Sequence, residues 1–179
     1  MTQLIKEKYT KIAVPEMKKK FGYKNDLAVP KIIKVVVNTG VGRIKDEKQL
    51  ETIEKHLALI TGQKPVKRLA KKSIASFKIR QGNLAGYSVT LRGQKMYDFL
   101  DRLINIAIPR IGDFRGLDPK AVDDAGNLSI GIKEHTVFPE ISEEEIKIIF
   151  GLEATIVTTA KTRDEALELF KLLGFPFKK

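Results

Sequence analysis

Cysteine is absent from the 179-residue sequence, which excludes a disulfide framework and any thiolate-ligated zinc site. The lack suits a reducing cytosol. Histidine occurs only twice, as His56 in a predicted helix and His135 at a predicted strand end, and nothing supplies metal-ligand spacing around either. No stretch of 18 apolar residues is found, and no charged-then-apolar leader ends in small residues, so a soluble, untargeted and cytoplasmic protein is expected. Internal repeats and low-complexity segments are missing too. The remainder, 42% hydrophobic and 31% charged, is long enough to bury about two-thirds of its unfolded surface. It reads as one domain over residues 1–179.

Negative charge is the scarcer sign. Against 33 Lys and Arg stand 22 Asp and Glu, a net charge of +11 and a pI near 9.7, which points to a polyanionic partner. A membrane surface would also attract such a chain, but no amphipathic helix combines a uniformly basic polar face with an aromatic-rich apolar one. The charge is also unevenly placed. Residues 64–97 hold nine basic side chains (Lys64, Lys67, Arg68, Lys71, Lys72, Lys78, Arg80, Arg92, Lys95) and no carboxylate, whereas 113–153 hold ten acidic and four basic ones. A short lysine run is ordinary solvated surface. Thirty-four residues free of Asp and Glu, with an aromatic at Phe77, favour nucleic-acid contact; the acidic stretch should face away from RNA or toward a basic protein.

The apolar pattern predicts a broken helix over 2–22, with Leu4, Ile5, Ile12 and Met17 among lysines and Pro15 opening its second piece. A β-branched strand at 32–37 follows, ending at Asn38-Thr39-Gly40-Val41-Gly42. Residues 46–61 read as a helix with Leu50, Ile53, Leu57 and Ile60 on one face, capped by Asp46. Three strand-like stretches, KPVKRLA, KSIASFKIR and YSVTLRG, then surround a turn at QGNLAG. A helix over 95–107, a long Pro- and Gly-containing loop over 109–127, strands at NLSIGIKEH and EATIVTTA, and a short helix near 143–146 are expected next. The closing helix carries the Thr162-x-x-Glu165 capping box, apolar Ala166, Leu167, Phe170 and Leu173, and the stop signal Gly174 with Pro176. This order predicts an α+β fold: a largely antiparallel sheet of about five strands, helices on one face, and a projecting basic hairpin loop. Alternation puts Lys34 and Asn38 on one face of the first strand, and Ser88, Thr90 and Arg92 on one face of another. If the strands are neighbours they share one polar surface, suited to phosphate, 2′-hydroxyl and base-edge contacts, or equally an ordinary solvated face.

Enzyme readings fail on the residues. Gly40-x-Gly42 opens like a dinucleotide fingerprint, but Lys45 occupies the third glycine position and no acidic residue follows at the required distance. Asp123-Asp124 lies in a Gly-containing loop and reads as turn chemistry. No nucleophile, base and orienting group can be assembled, and no cofactor or small-molecule substrate is expected.

Ten segments in order, among them VVNTGVG (36–42), TGQKP (61–65), AKKSIASFKIRQG (70–82), PRIGDFRGL (109–117), GIKEHTVFPEI (131–141) and LLGFPF (172–177), closely resemble the universal large-subunit ribosomal protein L-five family in its bacterial form. The resemblance implies 5S rRNA binding by Asn38, Thr39, Gly40, Gln63, Lys64, Lys72, Ser73, Thr90 and Arg92. It also implies a loop, with Phe77, Lys78, Arg80 and Gln81, that contacts P-site transfer RNA. Further implied partners are the small-subunit head protein S-thirteen and other large-subunit proteins and rRNA around the central protuberance. The loop departs from the family at Gln81 and Leu84-Ala85, where an acidic residue and a Pro-Ile pair are usual. A free-standing RNA-binding regulatory module is the alternative.

Overall fold

The computed structural model describes residues 4–75, 79–142, 144, 146 and 148–178. Its frame is a sheet of β1 (Ile32–Gly40), β2 (Val66–Leu69), β3 (Leu84–Leu91), β4 (Leu128–Ile132) and β5 (Leu152–Thr158). The strand order is β2-β3-β1-β5-β4, with every neighbouring pair antiparallel. Expectation and observation agree on the α+β class and the five-stranded antiparallel sheet. Alternation sets the two faces. Val35 and Val37 of β1, Val89 and Leu91 of β3, Ala154 and Ile156 of β5, and Leu128 and Ile130 of β4 are all buried, and they join one core cluster.

The helices supply the other half of that core. α3 (Glu47–Thr61) contributes Ile53, Leu57 and Ile60, α4 (Gly93–Arg102) contributes Met96, Phe99 and Leu100, and α5 (Arg163–Leu173) contributes Ala166, Leu169, Phe170 and Leu173. Each fully buried apolar side chain of this size stabilises the fold by about 1.5–3 kcal/mol. Of Leu167 and Leu169 in α5, it is Leu169, rather than the expected Leu167, that is fully buried. The cap is as predicted: the Thr162 hydroxyl accepts from the Glu165 N–H, and Gly174 turns left-handed at φ 96°. The N-terminal segment is not broken. α1 (Leu4–Lys8) and α2 (Val14–Phe21) are joined through a π-turn over Tyr9–Ala13, the widening that accommodates Pro15 in the next turn without its N–H. Inward side chains therefore recur at Ile5, Ala13 and Met17, while Leu4 and Ile12 are exposed.

KSIASFKIR does not form a strand among the described residues. The edge of β3 is already taken by β2, and residues 70–75 and 79–83 lie outside the sheet, on an excursion between the two strands. Its base is closed by Ala70 donating to the Asn83 carbonyl at 2.8 Å, and Ile74 and Ile79 exchange backbone bonds of 2.9 and 3.2 Å. Residues 76–78, with Phe77 and Lys78, lie outside the described residues, as do Glu143 and Glu145 of the short helix expected near 143–146.

The 109–127 loop is tied down. Leu117 donates to the Pro176 carbonyl at 2.7 Å and accepts from Lys178 at 2.9 Å, pairing the loop with the C-terminal tail. Asp123 does the turn chemistry expected of it, accepting from the Asn127 N–H at 2.7 Å and its side-chain amide at 2.9 Å. Burial works to raise this carboxyl, but the bonds from Asn127 outweigh it and hold the pKa below the usual value. The two histidines, 79 residues apart, meet in the core. His56 Nδ1 lies 3.0 Å from His135 Nε2, and Phe150 stacks on the His135 ring at 4.0 Å between centroids. Burial, followed by the neighbouring His56, pushes the His135 pKa down to about 4.

Candidate nucleic-acid interface

The sheet face opposite the core is built in cross-strand rows that the register fixes. One row runs Arg68, Gly86, Gly40; the next runs Val66, Ser88, Asn38, Glu153, Gly131; a third runs Thr90, Val36, Thr155, Ser129. Within the third row the Thr155 and Ser129 hydroxyls are hydrogen-bonded at 3.1 Å. Hydroxyls, one amide, one carboxylate and glycines dominate. Such a face has weak reason to bury itself against apolar protein, and its short side chains let an approaching strand of nucleic acid come close to the backbone.

The residues expected at the site divide by orientation. Asn38 and Gly40 are exposed on this face, Thr90 is half-buried on it, and Arg92 is exposed where β3 passes into α4. Strands β1 and β3 are direct neighbours, so Asn38, Ser88 and Thr90 share one surface. Thr39 points the other way: it is buried, and its hydroxyl donates to the Gly151 carbonyl at 2.7 Å. Gln63 acts as a brace, its side-chain amide donating to the Thr90 carbonyl at 3.0 Å. Lys64 is exposed just past α3. Lys72, Ser73, Arg80 and Gln81 are exposed on the excursion, whose two limbs are tied by the Gln81 N–H donating to the Ser73 hydroxyl at 2.9 Å.

The basic segment also divides. Lys67 turns toward the helices, 3.7 Å from Glu54, and Lys95 donates to the Gly62 carbonyl at 2.8 Å. Lys64, Arg68, Lys71, Lys72, Arg80 and Arg92 form no ion pair among the described residues, so their charge remains available to a polyanion. Residues of β4 and β5 were missed from the sequence. Ser129, Gly131, Glu153 and Thr155 alternate with buried neighbours and were recognisable as outward-facing, but only the strand order brings them beside Asn38.

The turn at Gly40-x-Gly42 is not a nucleotide cradle. Val41 donates to the Ala85 carbonyl at 2.9 Å, and α3 begins only at Glu47, where the Asp46 carboxylate accepts from the Lys48 N–H at 3.0 Å. An anion is therefore already in place at that helix terminus.

Two family models match consecutive parts of the chain: one described as "Ribosomal protein L5" over residues 25–80, and one for the C-terminus of the same ribosomal family over 84–177. The chain belongs to the ribosomal protein L5 family. Relatives named "Large ribosomal subunit protein uL5" include those of Dictyoglomus turgidum, 54% identical over 178 residues and 99% of both chains, and Syntrophomonas wolfei, 56% identical over 173 residues, 96% of this chain and 97% of the relative. That of Alkaliphilus oremlandii is 53% identical over 176 residues, 98% of both chains. L5 proteins are structural and non-enzymatic. The two L5 matches meet in the excursion between β2 and β3, so β1, α3 and β2 belong to the first and β3 onward to the second. The rows of the open face draw on both. No described helix is long and apolar enough to cross a membrane.

Proposed function

We propose that this L5-family chain is a structural constituent of the large ribosomal subunit that binds 5S rRNA with the open face of its sheet. The observation that carries this reading is the continuity of Asn38, Ser88 and Thr90 on paired strands, flanked by the cations Arg68 and Arg92, which form no ion pair among the described residues. Recognition is by shape, backbone and 2′-hydroxyl contacts, with no chemical step. Asn38, Gly40, Thr90 and Arg92 make direct contact; Gln63 and the buried Thr39 hold the strand ends that present them. Lys64, Lys72 and Ser73 border the same surface. The excursion, through Phe77, Lys78, Arg80 and Gln81, serves a second polyanion, P-site transfer RNA, and the subunit's central protuberance meets the small-subunit head protein S-thirteen. Filter binding of the purified protein to 5S rRNA, with transfer RNA as competitor, tests the primary assignment: 5S rRNA should bind at sub-micromolar concentration and resist competition. Equal binding of both RNAs would refute it.

A further inference from the structure

Four glycines gather at one end of β3, β1, β5 and β4, and they fall into two kinds. Gly86 and Gly151 have an internal reason to be glycine. A Cβ at Gly86 would lie 2.5 Å from the Thr39 carbonyl oxygen, and one at Gly151 would lie 3.1 Å from that of Ile132. Gly40 and Gly131 have none: neither has a positive φ, and a Cβ at either would meet nothing within 4 Å. A strand-interior glycine such as Gly131 is destabilising by about 0.5–1 kcal/mol relative to alanine. Where nothing inside the chain requires it, close approach of something outside is the remaining structural reason.

Gly131 ends the row Asn38, Glu153, Gly131, and Gly40 lies two residues along β1 from Asn38 on the same face. Together with Lys133 they line a shallow, open groove of about 440 Å³. Glu153 is exposed and forms no ion pair among the described residues. A lone carboxylate on a face meant for RNA would repel phosphate, unless it meets the part of RNA that donates hydrogen bonds. The base edges do so, and guanine presents two donors side by side, N1–H and the N2 amino group, to match two carboxylate oxygens.

We propose that this groove is a nucleobase subsite in which a guanine lies over Gly40 and Gly131, its donor edge on Glu153, with Asn38 beside it and Lys133 on the adjoining phosphate. The subsite deepens the RNA-binding reading above and rests on it. It gives the face sequence preference as well as shape recognition.

The two accounts of Glu153 make opposite demands on Glu153→Gln. As a mere source of repulsion, its neutralisation tightens RNA binding. As the acceptor for a guanine edge, its neutralisation weakens 5S rRNA binding, about tenfold or more for a charge-assisted contact. Gly131→Val fills the space a base would occupy, and should weaken binding comparably while leaving the thermal midpoint unchanged or raised. Interference mapping then identifies the partner. In 5S rRNA substituted at random with inosine, which lacks the N2 amino group, wild-type protein should discriminate against inosine at one or more guanosines, and Glu153→Gln should lose that discrimination. Equal or tighter binding by Glu153→Gln, or an unchanged interference pattern, overturns the subsite while leaving 5S rRNA binding standing. Failure of the wild-type protein to bind 5S rRNA overturns both.

Discussion

Asn38 and Thr39 are adjacent in sequence and should behave as opposites. Thr39→Val keeps the volume and branching of the side chain but removes the hydroxyl that donates to the Gly151 carbonyl at 2.7 Å. The donor is buried but Gly151 is exposed, so water can reach the carbonyl that loses its partner, and the cost is that of an ordinary hydrogen bond, about 0.5–1.5 kcal/mol. For a chain of this length, the thermal midpoint should fall by roughly 2–4 °C per kcal/mol. Asn38→Ala removes an exposed amide opposite Ser88 and Glu153, and a surface substitution of this kind shifts stability by about 0.5 kcal/mol or less. Its effect belongs to binding, where loss of one polar contact should weaken 5S rRNA affinity by about five- to a hundredfold. Denaturant unfolding and filter binding on both variants, in one buffer, measure the two effects separately. The reasoning is refuted if Thr39→Val leaves stability intact and loses RNA, or if Asn38→Ala unfolds the protein while the remaining folded fraction binds normally. Either result would mean that the faces of β1 are reversed.

Affinity for 5S rRNA should fall steeply with salt. Four to six phosphate contacts give a log-log slope of about −3 to −5, and a slope near zero in a salt titration would remove the electrostatic basis of the interface. Acid should destabilise the fold through His135. Its folded pKa, near 4, lies below the ordinary value of about 6.5, so the unfolded chain takes up the proton first. Stability is fully present above about pH 6.5 and falls as pH drops toward 4, by about 2 kcal/mol at pH 5. Denaturant melts at pH 7.5 and 5.0 should show that His135→Gln reduces this difference, and an equal pH dependence in both proteins would dismiss the histidine as its source. Gly86→Ala should lower stability by about 1–3 kcal/mol through overpacking against the Thr39 carbonyl, whereas Gly131→Ala, with open space around its Cβ, should not; calorimetry on the pair decides.

Local chemistry fixed much of this protein in its sequence. The β-branched run of β1, the Thr162 cap and Gly174 stop of α5, and the Asp123 turn each depend on neighbours a few residues away, and so could be read directly. Alternation along β1 and β3 also told which side chains share a face, because the two-residue repeat of a strand is a property of its own backbone. The same repeat opposes Thr39 to Asn38, although the family resemblance groups them in one role.

Only the tertiary structure could decide which strands are neighbours. β2 took the free edge of β3, and the described residues of KSIASFKIR pair with one another through the Ile74–Ile79 bridge. The order β2-β3-β1-β5-β4 brought Glu153 and Gly131 beside Asn38 from more than a hundred and about ninety residues away. Long-range packing also joined His56 to His135. In both cases the determining contacts lie between segments remote in the chain, and no local periodicity records them. Sequence pattern specifies the faces of an element; the free energy of burying all those faces at once selects their arrangement.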